Sequence, residues 1–146
     1  MKKMRVLSMA MAACLAVGTL AGCGANGDKE NTLKIGGTGP LTGTASTYGE
    51  SVKNGAQLAV DEINKAGGVN GIKLTLKFED DVCDPATAVN AYATLYDAGT
   101  KVSLGAVTSG ACVAVTEEVK KDGMLMLTPS ASQKECTQYD NCFRVC

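Results

Sequence analysis

The chain of 146 residues contains no histidine. That single absence excludes Ser-His-Asp and Cys-His catalysis and removes the commonest metal ligand. Aromatic residues are scarce at 4%, against 45% apolar residues in all, so any core must be built mainly from Val, Leu, Ile and Ala. No block of one charge stands out either, since 14 Lys and Arg nearly balance 15 Asp and Glu for a net charge of -1. Nothing here suits a polyanion, and no nucleic-acid partner is expected. The acidic stretch Glu79-Asp80-Asp81 lacks EF-hand spacing and reads as a solvated strand end. With no Cys-x2-Cys pair, no zinc site is expected, and no cofactor motif is present. The length allows one ordinary domain at most.

What is present begins at the N-terminus. Met1-Lys2-Lys3-Met4-Arg5 is a cationic lead, and Val6 to Thr19 is an apolar, small-residue run too short to span a bilayer comfortably. Together they read as an export signal. Leu20-Ala21-Gly22-Cys23 then resembles the bacterial lipobox, so residues 1–22 are expected to be cleaved and Cys23 to carry a diacylglycerol and further acyl chains such as palmitate. Several chains on one residue anchor stably, which puts the protein on the outer face of the cell membrane. Residues 23–31 serve as a flexible tether and residues 32–146 as the folded part. Seven cysteines are present. Cys14 leaves with the signal and Cys23 is lipidated, so Cys83, Cys112, Cys136, Cys142 and Cys146 remain as disulfide candidates. Their number is odd. Cys136 and Cys142 are close enough in sequence to close a short loop.

Along the rest, strand and helix patterns alternate. Leu33 to Gly36 is a short strand ending in a glycine loop, and Gly49 to Ala66 places Val52, Ala56, Ala59, Val60 and Ile63 on one helical face. Gly67-Gly68 stops that helix and Val69-Asn70-Gly71 turns the chain. Leu74 to Phe78 is a second strand, and Asp84-Pro85 caps a helix whose face includes Val89, Tyr92, Ala93 and Tyr96. Val102 to Val107 is a third strand, followed by a helix from Thr108-Ser109-Gly110 to Gly123. Met124 to Leu127 is a fourth, wholly apolar and so expected to be buried on both faces, and Cys142 to Val145 begins a fifth. This pattern predicts an α/β fold, a doubly wound and mostly parallel sheet with helices on either side.

In such sheets ligands collect where loops leave the carboxyl ends of strands. Three polar loops leave that way: Gly37 to Tyr48, Thr108 to Ala111, and Thr128 to Ser132. The first is not a phosphate loop, for no lysine lies between Lys34 and Lys53, and its glycines miss the Gly-x-Gly-x-x-Gly spacing. Ser109 opens a helix, where free amides and the positive dipole end favour a carboxylate. Ser130 and Ser132 supply hydroxyls from the neighbouring loop, and Tyr48 offers an apolar ring with a polar tip. None of these serines has an activating base, so no catalytic residue is expected.

The segments "IGGTGPLTGTASTYGES", "NGAQLAVDEINKAGGVNG", "EDDVCDPATAV" and "MLMLTPSAS" together resemble the extracytoplasmic solute-binding proteins of branched-chain amino acid ABC importers, of the type I periplasmic binding fold. The likeness runs from Thr32 to Cys146. It implies a bilobal protein, expected to be monomeric, that closes over an amino acid and hands it to permease subunits; a ligand-sensing receptor of the same fold is the alternative. By this resemblance Ser109 meets the ligand carboxylate, Ser130 and Ser132 bind through backbone and hydroxyl, and Tyr48 borders the side-chain pocket. Two departures follow. The partner that the cysteine matching Cys83 has in well-known members is replaced by Thr108, which leaves Cys112 as a substitute candidate, and Cys146 as another partner for Cys112. Ser132 stands where threonine is usual. The resemblance also implies that a hinge and a second lobe lie beyond residue 146, and that one lobe alone binds weakly or not at all.

Overall fold

Apolar and polar residues alternate through Leu74-Thr75-Leu76-Lys77-Phe78, which gives an extended segment one face that must be covered. A computed structural model of the chain describes residues 32–145; the expected signal, Cys23, the tether and Cys146 lie outside the described residues. Along the chain come β1 (Thr32–Gly39), α1 (Ser46–Lys65), β2 (Lys73–Asp80), α2 (Pro85–Asp97), β3 (Val102–Ala106), α3 (Ser109–Lys121), β4 (Leu125–Thr128), a 3-10 turn (Lys134–Thr137) and β5 (Cys142–Arg144). Among the described residues these strands form one parallel sheet in the order β2-β1-β3-β4-β5.

That order sets where the helices go. The step from β1 to β2 runs one way across the sheet and every later step runs the other way. Right-handed crossovers then place α1 on one face and α2 and α3 on the opposite face, where the two pack together. The start of α2 and the end of α1 follow local chemistry. Asp84 accepts the Thr87 amide at 2.7 Å ahead of Pro85, and Gly68 at a φ of +85° returns its amide to Ile63 at 2.8 Å to close α1.

Beneath α2 and α3 lies the main core, made by Ala88, Tyr92, Ala106, Cys112, Val115, Val119, Met124, Met126, Cys136 and Cys142 with their neighbours. Tyr92 is 3% exposed, lies stacked on Tyr96 at 6.3 Å between centroids, and donates its hydroxyl to Asp122 at 2.9 Å. Burial first, and then that carboxylate, raise its phenol well above the usual range.

Two expectations change. The glycine-rich run is strand as far as Gly39, because parallel pairing with β2 continues to Gly39 opposite Asp80 and a Cβ at Gly37 would lie 2.6 Å from the Phe78 ring. The helix starts earlier as well, at Ser46, so the true loop is only Pro40 to Ala45. The fourth strand is not buried on both faces. Register puts Leu125 and Leu127 on the α1 side with Val102, Leu104 and Phe143, and α1 covers only the β2-β1 part of that side. Leu125, Leu127 and Phe143 are therefore 48%, 38% and 50% exposed, while Met126 between the two leucines is wholly buried. Between α1 and this uncovered half runs an apolar groove of about 290 Å³, lined by Val52, Ala56, Leu104, Leu127 and Pro129 among others.

Adjacent residues of β4 should thus respond differently to truncation. Met126→Ala is expected to cost about 2–5 kcal/mol in urea unfolding, and Leu127→Ala less than about 1 kcal/mol. Equal losses would contradict the assignment of faces.

Candidate functional site

The chain reverses its direction of travel across the sheet between β1 and β3, so the loops that follow these strands diverge and leave a crevice at their carboxyl ends. Ser109 stands at this point as the first residue of α3. The first intrahelical bond there runs from the Cys112 amide to the Thr108 carbonyl at 2.9 Å, so the amides of the first turn emerge from the end of the helix. Thr108, the N-cap residue, makes no capping bond with its side chain, and its buried Oγ1 has no hydrogen-bond partner. Such an end, left uncapped from within, favours negative charge.

The Ser109 side chain turns toward the neighbouring loop. Its Oγ accepts the Ser132 amide at 3.1 Å and lies 3.4 Å from the Gln133 amide. An oxygen that accepts two N–H groups has used its lone pairs, which leaves its own proton to give outward. Thr128 and Ser130 hold the same loop from below, donating to the carbonyls of Ala106 and Val107, each at 2.8 Å. Arg144 of β5 donates to the Ser132 carbonyl and so brings a cation to the loop.

The structure therefore joins Ser109, Ser130 and Ser132 in one cluster across the ends of β3 and β4. It assigns them unlike parts. The Ser130 proton is committed to the backbone, whereas Ser132 presents an exposed side chain and an amide fixed by Ser109. Tyr48 sits in the first turn of α1, at the same edge of the sheet but 69% exposed, and it makes no side-chain hydrogen bond to the serines. Gly49 sets that turn close to the first loop, for a Cβ there would fall 2.0 Å from the Pro40 carbonyl oxygen.

The acidic stretch is not a solvated strand end. Asp80 Oδ1 accepts the Leu41 amide at 2.8 Å and the Val82 amide at 2.9 Å, and Oδ2 accepts the Thr42 hydroxyl at 2.6 Å. It clasps the first loop to the end of β2. Asp81 is fully buried, with Oδ1 taking the Cys83 amide at 2.9 Å and Oδ2 unpartnered. These two carboxylates hold Val82 and Cys83 in the left-handed region, at φ of 45° and 65°, where a β-branched residue is strained. Burial pulls Asp80 upward, but the bonds from Thr42, Val82 and Leu41 outweigh it and leave the carboxyl below its usual range. Burial raises Asp81, and the nearby Asp80 and Asp84 charges add to it against the Cys83 bond. Sequence alone gave no signal for Leu41 and Thr42 as partners, since they lie in another loop. Cys83 is an exposed free thiol, and Cys112, Cys136 and Cys142 are buried free thiols; Cys83 and Cys112 are not joined. Among the described residues no group of three His, Cys, Asp or Glu is placed to hold a metal ion.

Comparison with known proteins adds the following. A sequence profile described as periplasmic binding protein matches residues 32–146. A Leu/Ile/Val-binding protein homolog from Brucella melitensis is 41% identical over 116 residues, 78% of this chain and 32% of its own. A leucine-, isoleucine-, valine-, threonine- and alanine-binding protein from Pseudomonas aeruginosa is 41% identical over 107 residues, 73% of this chain and 29% of its own. Among solved structures, a branched-chain amino acid transporter substrate binding protein from Streptococcus pneumoniae in complex with isoleucine superposes with a TM-score of 0.72 at 34% identity, covering 77% of this chain and 32% of the other. The chain spans about a third of the length of the curated relatives it matches.

Ser109→Ala should release the tie between the loops. Exchange of the Ser132 and Gln133 amides is expected to quicken about fivefold for a lost bond of roughly 1 kcal/mol, whereas Ser132→Ala keeps both amides and should leave exchange unchanged. The acidic pair should give opposite pH responses. A raised native pKa means that stability falls as pH rises through the window above the ordinary aspartate value, so Asp81→Asn should gain stability over the parent at neutral pH and lose that advantage toward pH about 4. Asp80, lowered in the native state, stabilises above its ordinary pKa, and Asp80→Asn should be the less stable protein at neutral pH, with the gap closing in acid. Thermal unfolding from pH about 3 to 8 reads both.

Proposed function

The chain belongs to the periplasmic binding protein family, and from that membership we propose that it is the N-terminal ligand-binding lobe of an extracytoplasmic solute-binding lipoprotein. In this reading the ligand is an amino acid, branched-chain or related, and the receiving partner is an ABC importer. Its fold is that of the type I periplasmic binding proteins. The observation that carries the proposal is the arrangement at Ser109, whose hydroxyl proton is free to donate beside the open amide end of α3.

Each residue takes a part set by its geometry. The carboxylate of the ligand lies at the start of α3, bonded by the Ser109 hydroxyl and first-turn amides, with the helix dipole favouring its charge. Ser132 gives a hydroxyl from the opposite side, and Ser130 works by holding its loop in place. Tyr48 flanks the ligand side chain. Catalysis has no part in this, because a serine hydrogen-bonded only to backbone has no base to take its proton. The relatives named above are binding proteins and transporter subunits.

Half of the ligand faces away from this lobe in the proposed protein, which is closed over by a second one. Binding by the present chain alone is then weak, since water is not excluded from the ammonium and side chain. Lipid attachment at Cys23 follows from the sequence and is part of the proposal.

Two experiments test it. Titrating isoleucine into the labelled chain should move the amide signals near Ser109 and Ser132 with a Kd on the order of a millimolar, and Ser109→Ala should abolish the shifts; no response to any amino acid would defeat the assignment. In cells fed labelled palmitate the parent chain should take up label and sediment with membranes, and Cys23→Ala should do neither.

A further inference from the structure

Three buried thiols sit in the core beneath the serine cluster, and nothing in the ligand site uses them. Cys112 lies in the second turn of α3, three residues after Ser109 and on the same side of the helix. Cys136 lies in the 3-10 turn that follows the Thr128 to Gln133 loop. Its Sγ is 3.8 Å from the Ser109 carbonyl oxygen, one turn of α3 before Cys112, and both cysteines belong to the same packed core. Both are fully buried, in one packed cluster. Cys142 is a poorer partner, because its thiol turns to Asn141 at 3.8 Å. Cys83 is exposed, in the strained turn after β2.

We propose that Cys112 and Cys136 form a disulfide that fastens the 128–136 loop to α3. The bond runs alongside the two amide contacts to Ser109 and replaces a hydrogen-bonded tie with a covalent one. It fixes the distance between the Ser109 hydroxyl and the Ser132 amide whether or not a ligand is bound. Formation balances through exchange with a small-molecule disulfide such as oxidised glutathione. The thiolate of one cysteine attacks a glutathione sulfur and expels one glutathione thiolate, which takes up a proton. The other cysteine then attacks the mixed disulfide and expels the second, so two protein thiols are oxidised and one external disulfide is reduced to two thiols.

Timing follows from burial. Desolvation, and then the neighbouring Cys136 thiol, hold the Cys112 thiol well above its ordinary range, so the reactive thiolate is scarce once the core has closed. Oxidation therefore belongs to folding, before α3 and the 3-10 turn dock, and the finished bond is shielded from reductants by the same core.

The test uses the full chain, reduced and denatured, then refolded in a glutathione redox buffer. Free thiols are capped in denaturant, and digestion includes a protease that cuts before Asp140, because Cys136 and Cys142 otherwise share one tryptic peptide. The expected product is a peptide pair joining Cys112 to Cys136, present also in the Cys142→Ala variant, with a thermal midpoint that drops on reduction by about 8 °C or more. Recovery of Cys112 and Cys136 both capped, or of Cys136 joined to Cys142, or of Cys112 joined to Cys83 or Cys146, would overturn the proposal.

Discussion

Parallel pairing is the constraint from which the rest of this structure follows. Strands that all run one way deliver all their carboxyl ends, and the starts of the helices that follow, to a single edge. Serine and threonine hydroxyls that are far apart in sequence then meet there without any long-range search. Ser109 and Ser132 are 23 residues apart and touch because β3 and β4 are neighbours. The contact is a small one in energy, yet it decides which way the Ser109 proton points. A hydroxyl that accepts two amides has its orientation chosen for it before any ligand arrives.

The two loops flanking the crevice are held by different physics. On the β3-β4 side the ties are mostly neutral, hydroxyl to carbonyl and amide to hydroxyl, with Arg144 the one charged donor among them. On the β1-β2 side they are ionic, with Asp80 gathering donors from Leu41, Thr42 and Val82. Asp81 next to it is treated in the opposite way, buried with one oxygen unpartnered. Adjacent carboxyls pushed apart in this manner separate structure from charge. Against burial, the donors it gathers hold the one low, while burial pushes the other up.

How much of this was legible in the chain differs from element to element. The start of α2 could be read to the residue from Asp84-Pro85, and the stop of α1 from Gly67-Gly68, because caps and stops are local chemistry. That the serine loops leave one edge was legible too, since alternating strands and helices imply a parallel sheet; the strand order was not. What escaped was everything decided by a distant partner. The glycines from Gly36 to Gly39 look like loop until β2 is laid beside them. Asp80 and Asp81 look like solvated charge until the Pro40 loop folds over them. Met124 to Leu127 looks buried on both sides because composition cannot say which face a helix will cover.

The uncovered half of the sheet has an architectural meaning. Leu125, Leu127 and Phe143 lie flank to flank on the side away from α2 and α3, next to the outermost strand β5, whose far backbone groups pair with no other strand among the described residues. New secondary structure can be laid on there, as a strand beside β5 or a helix across its neighbours, and through Arg144 and Pro129 such an addition would touch the elements that hold the Ser132 loop. The open face of the sheet and the serine cluster thus share a border at β5, where a change in one is felt by the other.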